Sequence, residues 1–395
     1  MTAPATSRPA TADVVVGLGF GDEGKGATVD ALAAASGADR VVRFNGGQQA
    51  AHNVVVGGRH HTFASFGSGS FSGVATWVSG YCTVEPTAAA AERAALVRLG
   101  LAPVLHVDGA CLVTTAAHMA ANHAREAARG AARHGSTGTG FGETVAFGLA
   151  APDDAPRAAD LSRPVVFVAK TVAVAEALVA EGVLDTTWAS TGRVAAAARA
   201  QCEAAAAFTV VDRGRLLDEL RTGHTVFEGA QGFWLDESFG FQPHTTWSTT
   251  TPANARELAR AAGIERVRTV GCTRTYATRH GAGPLPGEDA LPFRPLEPHN
   301  GDDTFAGAFR TGAIDAALLR AAVDQTMADV LAVSHADVFD RFVTTEGRLP
   351  LDAFGPVLML GRGPAREDRR VVNAAHPVRV RGVRPGDASG ATAAA

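Results

Sequence analysis

Gly19-Phe20-Gly21-Asp22-Glu23-Gly24-Lys25-Gly26 follows the apolar run Val14-Val15-Val16 and leads into Ala27-Thr28-Val29-Asp30-Ala31-Leu32. The order reads as strand, glycine-rich turn, helix. Backbone-permissive glycines let main-chain N–H groups curl around an anion, and the helix N-terminus adds partial positive charge. The spacing Gly19-x4-Gly24-Lys25 matches a phosphate-binding loop up to its last residue, where Gly26 replaces the usual Ser or Thr. That hydroxyl ordinarily touches Mg²⁺, so a metal here needs another ligand, and Asp22 is the obvious candidate. Only two lysines occur in the whole chain, Lys25 and Lys170. A lysine placed inside a glycine loop is therefore unlike surface decoration. The competing reading is an ordinary βα turn with a solvated lysine.

The length of 395 residues exceeds one compact core. Hydrophobic content of 46% suits a globular enzyme, and a net charge of −4 gives no reason to expect nucleic acid or an anionic membrane as partner. Cys82, Cys111, Cys202 and Cys272 are isolated, without metal or redox spacing, which fits a reducing, cytoplasmic setting. No apolar run approaches the roughly 20 residues that span a bilayer.

Short β-branched runs alternate with alanine-rich stretches. Strands are expected at Val14–Val16, Arg40–Phe44, Val165–Val168, Thr225–Phe227, Val267–Thr273 and Val330–Ser334. Helices are expected at Pro86–Leu99, Thr115–Arg129, Val172–Glu181, Val194–Ala207 and Ile314–Met327. The alternation predicts an α/β fold, a mainly parallel central sheet flanked by helices, with ligands beyond the carboxyl ends of the strands. Ala151–Pro164 and Pro284–Thr304 read as loops. Residues 13–383 read as a single domain with small subdomains, between disordered tails at 1–12 and 384–395.

Further clusters follow strand candidates. Arg43-Phe44-Asn45-Gly46-Gly47-Gln48-Gln49-Ala50-Ala51-His52-Asn53 packs amides, glycines and an imidazole into one turn. His52 could donate to an oxygen gaining negative charge, or it could be one structural histidine among thirteen. Gly135 to Glu143 is a second glycine loop, with three hydroxyls suited to a phosphate monoester; a plain surface loop is the alternative. Phe227-Glu228-Gly229-Ala230-Gln231-Gly232 offers in Gln231 both donor and acceptor. Asp337, after the strand ending at Ser334, could accept from a guanine edge or cap a following helix.

Taken in order, these motifs resemble the adenylosuccinate synthetase family. Its W-G-D-E-G-K-G stands here as Phe20 to Gly26, its G-G-x-N-A-G-H-T as Gly46 to Asn53, and its T-T-G-x-G-x-G as Ser136 to Gly142. F-E-G-A-Q-G is unchanged at 227–232, and T-R-x-G-A-G-P-x-P is Thr278 to Pro286. The resemblance covers roughly residues 13 to 370. It implies a phosphate-loop-like ligase fold and GTP-dependent chemistry on IMP, with ATP as the alternative donor. Asp22 would remove the N1 proton while the 6-oxygen attacks the γ-phosphate, His52 would stabilise the transferring phosphoryl group, and Lys25 would assist. Gly21, Glu23, Gly24, Lys25, Gly26, His335, Asp337 and Gly363 would bind GTP. Gln49, Thr137, Gln231, Thr246 and Arg310 would bind substrate. Mg²⁺ would sit on Asp22 and the Ala51 carbonyl. The amino group of aspartate displaces the phosphoryl group in the family, whose members are homodimers with shared sites.

Departures from the pattern fall in several motifs, including Gln49, Ala51 and Asn53 beside the histidine. The family's T-T-G-R-R-R-R-T-G-W aligns with Phe305-Ala306-Gly307-Ala308-Phe309-Arg310-Thr311-Gly312-Ala313, so three of four arginines are gone. T-K-L-D has become Ser334-His335-Ala336-Asp337, and S-T-G-P has become Gly361-Arg362-Gly363-Pro364. Arg157 is the nearest candidate for the arginine that reaches in from a neighbouring subunit. The expectation is a divergent ligase that phosphorylates a carbonyl oxygen of a purine nucleotide or analogue. An amine other than aspartate, or bound differently from it, then displaces the phosphoryl group, with specialised metabolism as one setting. The alternatives are an orthodox adenylosuccinate synthetase and a nucleotide-binding regulator without catalysis.

Overall fold

The chain's structure, a computed structural model, describes residues 9–297 and 307–372. β1 (Thr11–Gly17), β2 (Arg40–Arg43), the hairpin β3 (His52–Val56) and β4 (Arg59–Phe63), β5 (Ala75–Val78), β6 (Leu105–Asp108), β7 (Thr209–Val211) and β8 (His224–Glu228) form the first half. The second half adds β9 (Arg266–Arg274), the hairpin β10 (Ala277–His280) and β11 (Phe309–Gly312), then β12 (Val330–Ser334), β13 (Val357–Gly361) and β14 (Arg369–Val371). Ten of these make one sheet in the order β14-β13-β12-β9-β1-β8-β2-β5-β6-β7. Every neighbouring pair is parallel except β13–β14. The expected mainly parallel α/β sheet is what the chain forms.

β1 is buried on both faces, as a central parallel strand requires. Val14 and Val16 pack on one side against α7 (Arg213–Leu220) and α8 (Ala253–Ala262) through Leu216, Leu258 and Ala259. Val15 points to the other side, against Val29 and Leu32 of α1 (Lys25–Ser36). Period-two alternation thus fastens the loop between β1 and α1 from both faces. A helical layer of α3 (Ala116–Arg129), α5 (Pro164–Ala180) and α6 (Thr191–Ala204) packs through Ala121, Val174, Leu178 and Val194.

One expected strand is corrected. Val165–Val168 lies inside α5, which starts with Pro164 at its first turn. The buried positions Phe167, Thr171, Val174, Ala175 and Leu178 recur at helical spacing, while Val165 is 85% exposed. A short apolar run is ambiguous alone; a proline ahead of it and a long alanine-rich continuation decide for helix. The first strand also begins at Thr11, inside the stretch read as a tail. Residues 1–8 and the tail at 384–395 lie outside the described residues, as does 298–306 of the loop read at Pro284–Thr304. No helix among the described residues is long and apolar enough to cross a membrane.

Candidate active site

The chain runs outward from β1 through β2, β5, β6 and β7 on one side, and β9, β12, β13 and β14 lie on the other. The sheet therefore changes direction beside β1, and loops after β1, β2, β8, β9, β12 and β13 converge there. They line a single cleft of about 1810 Å³. Gly21, Asp22, Gly24, Lys25, Gly26, Gln49, Ala51, His52, Thr137, Gln231, Thr246, His335, Asp337 and Gly363 all face it. Glu23 and Arg310, also expected at the site, do not line it.

The loop after β1 has a left-handed backbone at Gly21, Asp22 and Gly24, the last being the N-cap of α1. Glu23 turns inward, accepts from the N–H groups of Gly19 (3.0 Å) and Gly21 (2.8 Å), and binds Lys25 Nζ at 2.6 Å. Its carboxylate thus braces the loop from beneath and neutralises the lysine. Gly26 has a packing reason: a Cβ there would lie 2.6 Å from the Cβ of His52. Absence of the usual hydroxyl residue is what lets β3 close on the loop.

His52 is buried, and its Nδ1 meets Glu228 Oε1 at 2.5 Å. Glu228, at the end of β8, also accepts from Ser68 N (2.9 Å) and Ser68 Oγ (2.5 Å). Burial pushes the Glu228 carboxyl up, but its donors and the Arg43 charge outweigh that and hold it below the usual range. Burial pushes the His52 imidazole down, against the pull of Glu228. An ionised carboxylate on Nδ1 fixes the ring and commits Nε2 to the cleft side of the chemistry. Glu228 is a residue that sequence reasoning missed, although a carboxylate ending a buried strand in F-E-G-A-Q-G was a usable signal.

Asp22 is held in its left-handed conformation (φ 61°) by Arg274 Nε, which donates to its carbonyl. Its carboxylate lies 3.3 Å from His280 Nε2. Gln231 (φ 63°) and His335 (φ 59°) are strained in the same way, each at the carboxyl end of a central strand. Such conformations concentrate where the surrounding structure serves a ligand. Gln231 Oε1 and both side-chain polar atoms of Gln49 are enclosed without partners in the protein. Orphaned buried amides of this kind call for a ligand.

His335 is pushed down to about 3 by burial and by the Arg274 charge, so it is neutral. Arg274 itself pairs with Glu297 and touches Tyr276 Oη at 3.1 Å. Asp337 is exposed in a turn with no helix after it, which removes the capping alternative. Arg157 donates to the carbonyls of Ala110 and Pro152 and does not line the cleft.

Opposite the loop stands the hairpin β10–β11, in register with Arg279 facing Arg310 and His280 facing Phe309. Arg310 is engaged by Glu288 (2.7 Å) and the Gly283 carbonyl (2.8 Å). Arg279 donates to the carbonyls of Ala282, Pro284 and His244, lies over the Phe20 ring at 4.7 Å, and is pushed down to about 10 by burial and by Arg310. Phe309 packs against His280 at 4.7 Å between ring centres. Phe305 and Ala306 lie outside the described residues.

For Mg²⁺, the Asp22 carboxylate and the Ala51 carbonyl are hard oxygen donors on the cleft wall. No cage of three or more His, Cys, Asp or Glu side chains occurs among the described residues. Mg²⁺ held by one carboxylate and by substrate phosphates needs none, so the donor set fits.

A phosphate-type loop at a sheet's switch point, an imidazole backed by a carboxylate and orphaned amides in one cleft define a nucleotide-dependent enzyme of the α/β class. Residues 14–346 match the family model described as adenylosuccinate synthetase. The adenylosuccinate synthetase of Thioalkalivibrio sulfidiphilus is 33% identical over 355 residues, covering 84% of this chain and 79% of that protein. Adenylosuccinate synthetase 1 of Chromobacterium violaceum is 35% identical over 348 residues, covering 83% and 76%. Among solved structures, fully ligated adenylosuccinate synthetase from Plasmodium falciparum superposes with a TM-score of 0.71 at 17% identity, covering 91% of this chain and 99% of that one. Cyanophage S-2L succinoaminodeoxyadenylate synthetase, bound to dGMP and to dATP as an energy donor, gives 0.64 at 21% identity, covering 92% and 96%. The chain belongs to the adenylosuccinate synthetase family, C–N ligases that use a nucleoside triphosphate.

Proposed function

We propose that the chain activates a carbonyl oxygen of a purine nucleotide, IMP or an analogue, by phosphoryl transfer from GTP. It then lets an amine other than aspartate, or one held differently from it, displace the phosphoryl group. In this reading Asp22 takes the proton from the ring nitrogen, so that the carbonyl oxygen becomes nucleophilic. His52, held by Glu228 at Nδ1, becomes an imidazolium as the phosphates arrive and donates from Nε2 to the phosphoryl oxygens, where charge builds up. Gln49, Gln231, Thr137 and Thr246 hold the purine nucleotide. The loop amides and Lys25 hold the triphosphate, and His335, Asp337 and Gly363 hold its base. Mg²⁺, on Asp22 and the Ala51 carbonyl, supplies charge neutralisation on phosphate oxygens when bound. ATP is the alternative donor, since a protein of this fold carries dATP in that role.

The observation that carries the divergent part is the hairpin β10–β11. Where the family has arginines, Phe309 packs on His280 beside Asp22, and the remaining Arg310 is neutralised by Glu288. Of that hairpin, an amine bearing two carboxylates finds on the cleft side His280 and a single guanidinium, Arg279, already committed to three carbonyls. Each missing charge-assisted pair costs about 1.5–3 kcal/mol, roughly 10- to 150-fold.

Phosphate release from GTP with IMP and a panel of amines, with products identified by mass, tests this. The panel runs from aspartate through monocarboxylate and uncharged amines to ammonium. A kcat/KM for aspartate at least about tenfold below that for another amine is expected. If aspartate is the best substrate, the divergent part falls and the orthodox reading replaces it.

A further inference from the structure

Besides His52, Arg279 and His280, four cationic or potentially cationic side chains stand around the β1–α1 loop, and three of these four are already neutralised or neutral. Lys25 is bound by Glu23 at 2.6 Å, Arg274 is bound by Glu297, and His335 is uncharged. The fourth is Arg369, on the edge strand β14. Its Nη2 lies 3.4 Å from the point a Cβ on Gly24 would occupy, beside Ser334. Its guanidinium makes no hydrogen bond and no ion pair among the described residues, and Nε is enclosed without a partner. Arg366 nearby shows the contrast, with both arms on Asp30 at 2.7 and 2.5 Å. Burial pushes Arg369 down from its ordinary value, against the pull of Asp30, Asp368 and Asp337, none of which it hydrogen-bonds, so a buried charge is left with donors to spare.

We propose that Arg369 is a phosphate-binding residue for the nucleoside triphosphate, adding from β14 a second cation to that of Lys25, whose charge Glu23 already offsets. This rests on the reading that the loop at 19–26 holds the triphosphate. Arg369 lies beyond residue 346, where the family match ends. Room for it comes from Gly361, which stands where the family motif S-T-G-P has its serine. A Cβ at Gly361 would sit 2.8 Å from Arg369 Nη1. β13 and β14 place the two directly opposite each other, Gly361 facing Arg369 in the ladder. The small residue and the arginine therefore act as one device. A planar guanidinium in that place suits paired phosphate oxygens, a geometry lysine does not reproduce.

The test measures binding of GDP and of ADP, each with Mg²⁺, to the full chain by calorimetry, and KM for each substrate. Wild type is compared with Arg369→Ala, Arg369→Lys, Gly361→Ala and Lys25→Ala. Arg369→Ala is expected to weaken the diphosphate that wild type prefers by about 10- to 100-fold and to raise the triphosphate KM similarly. The purine-nucleotide KM should stay within about twofold and the melting temperature within a few degrees. Arg369→Lys should recover part of the loss, and Gly361→Ala should reproduce it by displacing the guanidinium. If wild type binds neither diphosphate, the phosphate-loop reading itself fails. If wild type binds and Lys25→Ala does not, while Arg369→Ala and Gly361→Ala bind as wild type does, the loop reading stands and the role of Arg369 is overturned. Should Arg369→Ala fail to fold, Arg369→Lys and Gly361→Ala decide by the same criterion.

Discussion

Replacing Glu228 by Gln removes one charge and almost no volume. With its oxygen in the place of Oε2 the amide still accepts from Ser68 N, now at 2.9 Å, while the Ser68 hydroxyl, 2.5 Å from Oε1, turns to accept from the NH₂. The amide NH₂, however, faces His52 Nδ1, which is 2.5 Å from Glu228 Oε1. Two donors cannot share that contact, so the imidazole must turn Nδ1 into an acceptor and carry its proton on Nε2. The ring then presents only a neutral Nε2–H towards the cleft and loses the buried anion that supports an imidazolium as phosphoryl charge develops. The loss is that of one charge-assisted hydrogen bond, about 1.5–3 kcal/mol, or roughly 10- to 150-fold. It should fall on kcat, because the interaction strengthens only in the transition state. Steady-state phosphate release reads it, with KM for both nucleotides expected within about threefold of wild type. His52→Ala, which removes the donor as well, should lose more. If Glu228→Gln keeps kcat within twofold of wild type, the carboxylate does not act through His52 and the assignment is wrong.

Other outcomes follow from the same geometry. Asp22→Asn should fold as wild type does yet lose turnover by at least about 10³-fold, even at Mg²⁺ and nucleotide concentrations that saturate it, a general-base effect; residual activity near the wild-type rate would remove Asp22 from the chemistry. Gln231→Asn keeps a residue tolerant of the left-handed backbone but shortens the amide. It should raise the purine-nucleotide KM about tenfold and leave the triphosphate KM alone, as initial-rate kinetics would reveal. His118, buried in α3, accepts from Thr115 N at 3.1 Å in a capping box and is pushed down to about 3 by burial. Because its folded pKa lies below the unfolded value, its contribution is fully present above about pH 6.5 and is lost as pH falls towards 3. His118→Gln, which retains the capping partner, should flatten that acid slope by about 1.4 kcal/mol per pH unit in denaturant titrations; an unchanged slope would refute the neutral-histidine account.

Much of this was legible in the sequence, for reasons that differ by element. The loop at 19–26 declares itself because glycine spacing after a β-branched run has few other uses, and Val330–Ser334 was readable to the residue because both its faces are buried. Val165–Val168 misled because four apolar residues carry no period of their own, and the deciding proline sits outside them. The three outermost strands on one side of the sheet, β5, β6 and β7, are short and partly polar, so alternation had too little length to register. At the site, Asp22, His52 and Gln231 were identified as residues with chemistry to offer. Their partners were not, because Glu228 meets His52 across 176 residues and His280 meets Asp22 across 258, while Arg369 reaches Gly24 across 345, approaches that only the assembled fold creates. Arg310 was legible as a survivor of an arginine run, but its capture by Glu288 depends on the register of β10 against β11.

The central claim is that an oxygen of the purine nucleotide itself attacks the triphosphate, with Asp22 taking the proton. Its most direct measurement uses IMP labelled with ¹⁸O at the carbonyl position, turned over with GTP and the preferred amine. The account predicts that the label leaves the purine and is found in the released phosphate, one atom per turnover. Phosphate carrying only solvent oxygen, with the label still on the purine, would contradict it.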